Sequence, residues 1–99
     1  MYTIVQRRRI DPARQQETRE RAQRDFFPQL QRAPGFVGFY LVADEEQGIT
    51  TAITVWQDQA SAAAFQPQVD AFTQVLKSMG ARRESINRGE TVVAITPQR

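Results

Sequence analysis

The sequence predicts an α+β fold: a ferredoxin-like βαββαβ protomer in which two helices cover one face of a four-stranded antiparallel sheet. Two observations carry this expectation. Apolar spacing switches between the strand and helix periods in the order strand, helix, strand, strand, helix, strand. The segment APGFVGFYLVADEEQGITTAITVWQD, residues 33–58, then holds two strand-length runs around an acidic turn, each apolar on both alternating faces. A half-solvated antiparallel sheet needs one apolar face. The second predicts another copy packed sheet against sheet, in an isologous homodimer.

Residues 2–9 read as a strand, with Ile4 and Val5 as its apolar members. Asp11 followed by Pro12 is a helix start, a capping carboxylate and then a residue whose fixed φ suits the first helical position. The helix runs to about Arg32, with Ala22, Phe26 and Leu30 as its buried stripe,. Pro28 kinks or restarts it, because an interior proline removes a backbone hydrogen bond. Pro34-Gly35 ends the segment.

Strands at 36–43 and 49–57 flank the loop Asp44–Gly48, where Gly48 absorbs an awkward backbone angle,. Pairing Ala43 with Ile49 sets Leu41 opposite Thr51, Phe39 opposite Ile53 and Val37 opposite Val55. The other face then pairs Val42 with Thr50, Tyr40 with Ala52, Gly38 with Thr54 and Phe36 with Trp56. If the aliphatic row Val37, Phe39, Ile53 and Val55 lies under the helices, Phe36, Tyr40, Val42 and Trp56 look outward. Phe36, Tyr40 and Val42 are accordingly the expected dimer interface.

Asp58 caps a short alanine-rich helix, Gln59 to Gln66,. Pro67 restarts a second helix, with Val69, Phe72, Val75, Leu76 and Met79 on one side and Gly80 at its close. A polar connection, Arg82 to Glu90, leads to a last strand, Thr91 to Thr96, which Pro97 stops. The whole chain, 1–99, reads as a single domain,.

Composition removes most kinds of chemistry. With no cysteine and no histidine, there is no disulfide framework, thiolate or imidazole metal site, Ser-His-Asp triad or histidine-ligated haem. The eleven carboxylates fall mainly in the first helix, the hairpin turn and caps, where solvation and helix-end charge account for them. No metal and no cofactor is expected, and the protein should be colourless. Net charge is only +2, and arginines alternate with acids along the first helix, the pattern of a solvated face. Nucleic acid is therefore not an expected partner. No run of ~18 apolar residues suits a membrane, and MYTIVQRRRI reverses the charge order of a secretory signal. A cytoplasmic protein is expected.

Pro34-Gly35-Phe36-Val37-Gly38-Phe39-Tyr40, then Ala52-Ile53-Thr54-Val55-Trp56-Gln57-Asp58-Gln59-Ala60, resembles the antibiotic-biosynthesis-monooxygenase-like family of dimeric α/β-barrel proteins. Gly89-Glu90 resembles the family's Gly-Glu before the final strand. The resemblance implies a homodimeric barrel and, in one branch, a cofactor-independent monooxygenase that converts a small aromatic or polyketide-like molecule to a quinone. The haem-degrading branch does not fit. Gln6 and Arg7 stand near its strand asparagine, Phe65 replaces its helix tryptophan, and its axial histidine has no counterpart.

A cofactor-free oxygenase must ionise its substrate, stabilise the anion and exclude water. The candidate catalytic residues are Trp56, Asn87 and Arg83, with Tyr2, Tyr40 and Arg82 behind them. Each has a plainer reading. Trp56 anchors a strand end, Tyr40 fills a dimer contact, Asn87 sits in a turn, and Arg82-Arg83 is a solvated pair. Phe26, Phe39, Phe65 and Phe72 either line a ligand pocket or fill it. The alternative function is a non-catalytic dimeric module holding a small apolar ligand, in stress or regulatory work. A cavity of ~300 Å³ or more with converging polar groups supports ligand chemistry, and solid phenylalanine packing supports a structural role.

Overall fold

A computed structural model describes residues 1–97. The chain runs β1 (Tyr2–Arg9), a 3-10 turn (Pro12–Arg14), α1 (Gln15–Asp25), α2 (Phe27–Arg32), β2 (Phe36–Asp44), β3 (Ile49–Trp56), α3 (Gln59–Ser78) and β4 (Arg82–Glu90). The four strands form one antiparallel sheet in the order β2-β3-β1-β4. This is the ferredoxin-like arrangement.

The central strands fix which side chains meet the helices. Tyr2, Ile4, Gln6 and Arg8 on β1 stand opposite Trp56, Thr54, Ala52 and Thr50 on β3. Directly opposed residues share a face, and this is the helix face. Tyr2, Ile4 and Trp56 are buried there with Leu30, Ala62 and Phe65, and Phe26, Phe36, Phe39, Val69 and Ile86 pack around them. Val5, Ile53 and Val55 point the other way.

The β2–β3 register corrects the expected one. Asp44 opposes Ile49, Val42 opposes Thr51, Tyr40 opposes Ile53 and Phe39 opposes Thr54, whereas Phe36 opposes Trp56 as expected. A bulge between Phe36 and Gly38 absorbs the extra residue, and the slip exchanges the faces of the intervening side chains. Phe39 thus keeps its place under the helices, but Ile53 and Val55 do not. Tyr40 and Val42 look outward. Phe36 and Trp56 do not: Trp56 is 1% exposed and Phe36 packs on the same core. Gly48 holds φ +69°, and a Cβ there would lie 2.9 Å from the Ile10 carbonyl oxygen.

Three element boundaries also differ. The first helix is preceded by a 3-10 turn, although Asp11 caps it as expected, accepting from the Ala13 amide at 3.0 Å. It breaks at Phe26, and Pro28 restarts it in the opening turn of α2, as expected. In contrast, α3 runs straight through Pro67. Ala62, Phe65, Val69, Phe72 and Leu76 form one stripe across the proline, which is itself exposed. Packing along the stripe outweighs the lost hydrogen bond. Finally, β4 is Arg82–Glu90, not 91–96. The turn after α3 is short, closed by the Ala81 amide donating to Leu76 at 3.0 Å, so the polar segment reaches the edge of β1 first. Thr91 still donates its amide to the Met1 carbonyl at 2.8 Å. Beyond it, Val92, Val93 and Ile95 are 90%, 71% and 89% exposed.

Candidate functional site

The helices do not seal fully onto the sheet. A cleft of about 100 Å³ remains between α1, α3 and the β1–β3–β2 surface. Its walls are Phe26, Phe27, Phe39 and Phe72, with Ala22, Val69 and Leu76; Gln6, Arg8, Gln15 and Thr18 supply polar atoms. Arg19, Phe27, Phe39 and Leu41 continue into an open recess of about 540 Å³ beside Glu45. The inner cleft is smaller than the ~300 Å³ typical of ligand sites, yet the phenylalanines are not packed solid.

The aromatic wall arises from the break at Phe26. Phe26 stacks on Phe72 with ring centroids 4.8 Å apart and planes 13° apart, and Phe27 leans on Phe39 at 5.2 Å. The break therefore sends two adjacent rings to two different partners, Phe26 to α3 and Phe27 to β2.

The polar end rests on β1. Alternation that buries Tyr2 and Ile4 continues through Gln6 and Arg8, which lie on the same helix-facing side. Arg8 Nη2 donates to Gln6 Oε1 at 2.9 Å and to Thr73 Oγ1 at 3.2 Å. Its Nε is buried with no acceptor among the described residues. Burial, then the nearby positive charge of Arg83, pushes the Arg8 guanidinium below its ordinary range. Arg19, at the mouth, is paired with Glu45 at 3.2 Å.

The structure gathers some of the sequence-chosen residues and scatters others. Phe26, Phe39 and Phe72 line the cleft. Phe65 lies deeper, 5.4 Å from the ring of Trp56 and 5.8 Å from that of Phe26. Trp56 is enclosed in the core and does not line the cleft. Asn87 belongs to β4 opposite Val5, on the outer face, rather than to a turn. Arg83 stands exposed opposite Arg8 beyond a bulge, bordering a second, open groove with Asp70 and Lys77 that Arg8 and Thr73 also line. Tyr2 is core and Tyr40 is outer surface.

Sequence reasoning overlooked Arg8, Gln15, Thr18 and Phe27. The signal for Arg8 was available: an arginine two residues beyond Gln6 and four beyond Ile4, on the face of a central strand that Ile4 already turns inward. No group of three or more Asp or Glu side chains comes together to hold a metal among the described residues. No helix there is long and apolar enough to cross a membrane.

Helices over one face of a 2-3-1-4 sheet, with a phenylalanine-walled cleft between the layers, define a ferredoxin-like α+β protein with an internal aromatic site. Residues 1–75 match the antibiotic biosynthesis monooxygenase family, and the chain belongs to that family. Among solved structures, it resembles the monooxygenase from the gene ActVA-Orf6 of Streptomyces coelicolor, determined with the ligand nanaomycin D. That match has TM-score 0.75 and 17% identity, over 98% of this chain and 92% of that one. HapK from Hahella chejuensis is similar at TM-score 0.74 and 18% identity, over 99% of both chains. SnoaB, a cofactor-independent oxygenase from Streptomyces nogalater, is similar at TM-score 0.69 and 21% identity, over 97% of both. No curated protein sequence matches the chain.

Proposed function

We propose that the protein is a cofactor-independent monooxygenase acting on a small aromatic or polyketide-like molecule held in the cleft. The observation that supports this reading is the lining: four phenylalanines, and neither a carboxylate nor an imidazole, in the inner cleft of a chain from this family. Flat rings pack well against such walls, and a dry site strengthens every electrostatic contact with a reacting anion. The overall change converts a phenol to a quinone. One oxygen atom of O2 becomes the new carbonyl, and the other leaves as water with the ring hydrogen and the phenolic proton. The substrate supplies the electrons. With no base in the inner cleft, its phenolic proton passes to water at the mouth. Oxygen uptake with a panel of hydroxylated naphthalenes and anthrones tests the reading. One atom of labelled oxygen should appear in the product; no uptake above autoxidation across the panel overturns it.

The small inner volume, about 100 Å³, supports a second reading, a non-catalytic module that keeps a small apolar ligand. Mass spectrometry of compounds that copurify with the protein separates the two. An unchanged ligand and no oxygen uptake favour the module.

Either activity belongs to a homodimer. Tyr40 and Val42 are 63% and 58% exposed on the outer face, alongside the outward Ile53 and Val55, and this row is the proposed interface. Light scattering after size exclusion should give twice the chain mass, and Tyr40→Glu should give the monomer or an aggregate. A wild-type monomer at micromolar concentration removes the proposal.

A further inference from the structure

Arg8 is a largely buried cation without a counter-charge. None of the ion pairs among the described residues includes it, and its Nε has no acceptor. The nearest strand neighbour across β4 is another cation, Arg83. Asp70 borders the groove on the far side of Arg8 but takes its hydrogen bond from Gln66 at 2.9 Å. Buried arginine is ordinarily paired, because leaving the charge desolvated and unpartnered is costly. Here the guanidinium is also held in place, by Gln6 beside it on β1 and Thr73 on α3. It lines a cleft walled largely by aromatic and aliphatic side chains, in which the other cation, Arg19, is already paired with Glu45.

We propose that Arg8 is the anion-binding residue of this cleft, and that the ligand is an aromatic molecule bearing an oxyanion, a carboxylate or an ionised phenol. This rests on reading the cleft as the substrate site. Nη2 is committed to its two protein acceptors, so the ligand oxygen takes the remaining donors of the fork. Charge-assisted hydrogen bonds of this kind are about twice as strong as neutral ones. Fixed beforehand, the guanidinium needs little reorganisation when the anion arrives. Gln6 and Thr73 are positioning residues.

Calorimetric titration of the full chain with 2-naphthoate and with its methyl ester tests the carboxylate arm. The acid should bind about tenfold or more tightly than the ester. The phenolate arm uses 4-nitrophenol, whose yellow anion should grow at constant pH on adding protein. Either arm supports the site and names its anion. Arg8→Gln should abolish the preference by weakening the acid more than the ester, whereas Arg19→Gln, at the mouth, should keep the preference. Equal binding of acid and ester without the colour change overturns the proposal, as does no binding of any probe or a preference that survives Arg8→Gln. The comparison of acid and ester in the wild type does not depend on any variant folding. The oxygenase reading fails separately: an intact anion preference with no oxygen uptake sinks the activity and keeps the site. Uptake with neutral phenols and no anion preference does the reverse.

Discussion

The ring of Phe36 meets that of Trp56 nearly edge-on, with centroids 5.8 Å apart and planes at 72°. The contact lies at the cross-strand pair just beyond the Val37 bulge, and it ties the start of β2 to the core. Phe36→Ala should therefore destabilise the protomer by about 2–3 kcal/mol, from lost burial and lost aromatic contact. Tyr40→Ala, on the opposite face, should change the dissociated protomer by less than about 0.5 kcal/mol. Urea unfolding of both variants at low protein concentration checks this. Equal losses would contradict the placement of the two rings on opposite faces.

A backbone position sets the next expectation. Gly35 has φ +79°, and a Cβ there would stand 2.1 Å from Ser61 Oγ and 2.5 Å from Ser61 Cβ. Its carbonyl accepts from the Gln57 amide at 2.8 Å, so the turn before β2 is clamped to the end of β3. Gly35→Ala meets both left-handed strain and a clash with the first turn of α3. A loss of about 2 kcal/mol or more should follow. Pairing it with Ser61→Gly removes the clash and should recover part of the loss, leaving the backbone strain.

Most of the fold was legible because β1, the hairpin and α3 carry strong periodic patterns. What failed has specific physical causes. The register of β2 depends on a one-residue bulge at Val37, and nothing in FVGFY marks that residue rather than its neighbours. The last strand was misplaced because RRESINRGE has one inward apolar residue, Ile86, and pairs through its backbone with β1. Pro67 predicts a break by its local cost alone, and the stripe from Ala62 to Leu76 that overrides it spans both sides of the proline,. The site was less legible than the fold. Aromatic residues could be named from composition, but whether Phe65 fills the core or Phe27 lines the cleft depends on the break at Phe26. Arg8 is one of three adjacent arginines, and only strand alternation separates it from Arg7 and Arg9.

Acid should weaken the protein. Asp58, the cap of α3, has its carboxyl held below the ordinary range by hydrogen bonds from Ser61, side chain first and then amide. Hydrogen bonds from Arg24 and Arg21 lower Asp25, and one from Arg14 lowers Glu17. A folded-state value below the unfolded one gives stability that is present above the unfolded value and is lost as pH falls through the folded one. Melting temperature should therefore be flat near neutrality and fall below about pH 4. Asp58→Asn keeps a good capping residue but cannot titrate, so its acid slope should be shallower. An unchanged slope would remove Asp58 from the account.

Removing Arg8 should stabilise the chain or leave it nearly unchanged. A structural arginine in a buried pair behaves otherwise, since deleting one partner strands the other charge and costs about 3–5 kcal/mol. Arg8 has no such partner, only Gln6 and Thr73. Thr73 keeps its own donation to the Val69 carbonyl at 2.8 Å, so the acceptor that Arg8→Met strands is Gln6 Oε1. Relief of an unpaired buried cation and loss of that bond oppose one another, and the net change should stay within about 1 kcal/mol of zero. Gln6→Leu together with Arg8→Met removes the stranded acceptor as well, so it should be more stable than Arg8→Met alone by about 1 kcal/mol or more. Both variants should have lost the preference for an anionic ligand. Stability kept or gained together with that loss is the trade expected where a binding group is maintained against folding. Thermal and urea unfolding of the wild type, Arg8→Met and the double variant measure it. A loss of about 3 kcal/mol in Arg8→Met would show instead that Arg8 is held by the fold for its structure.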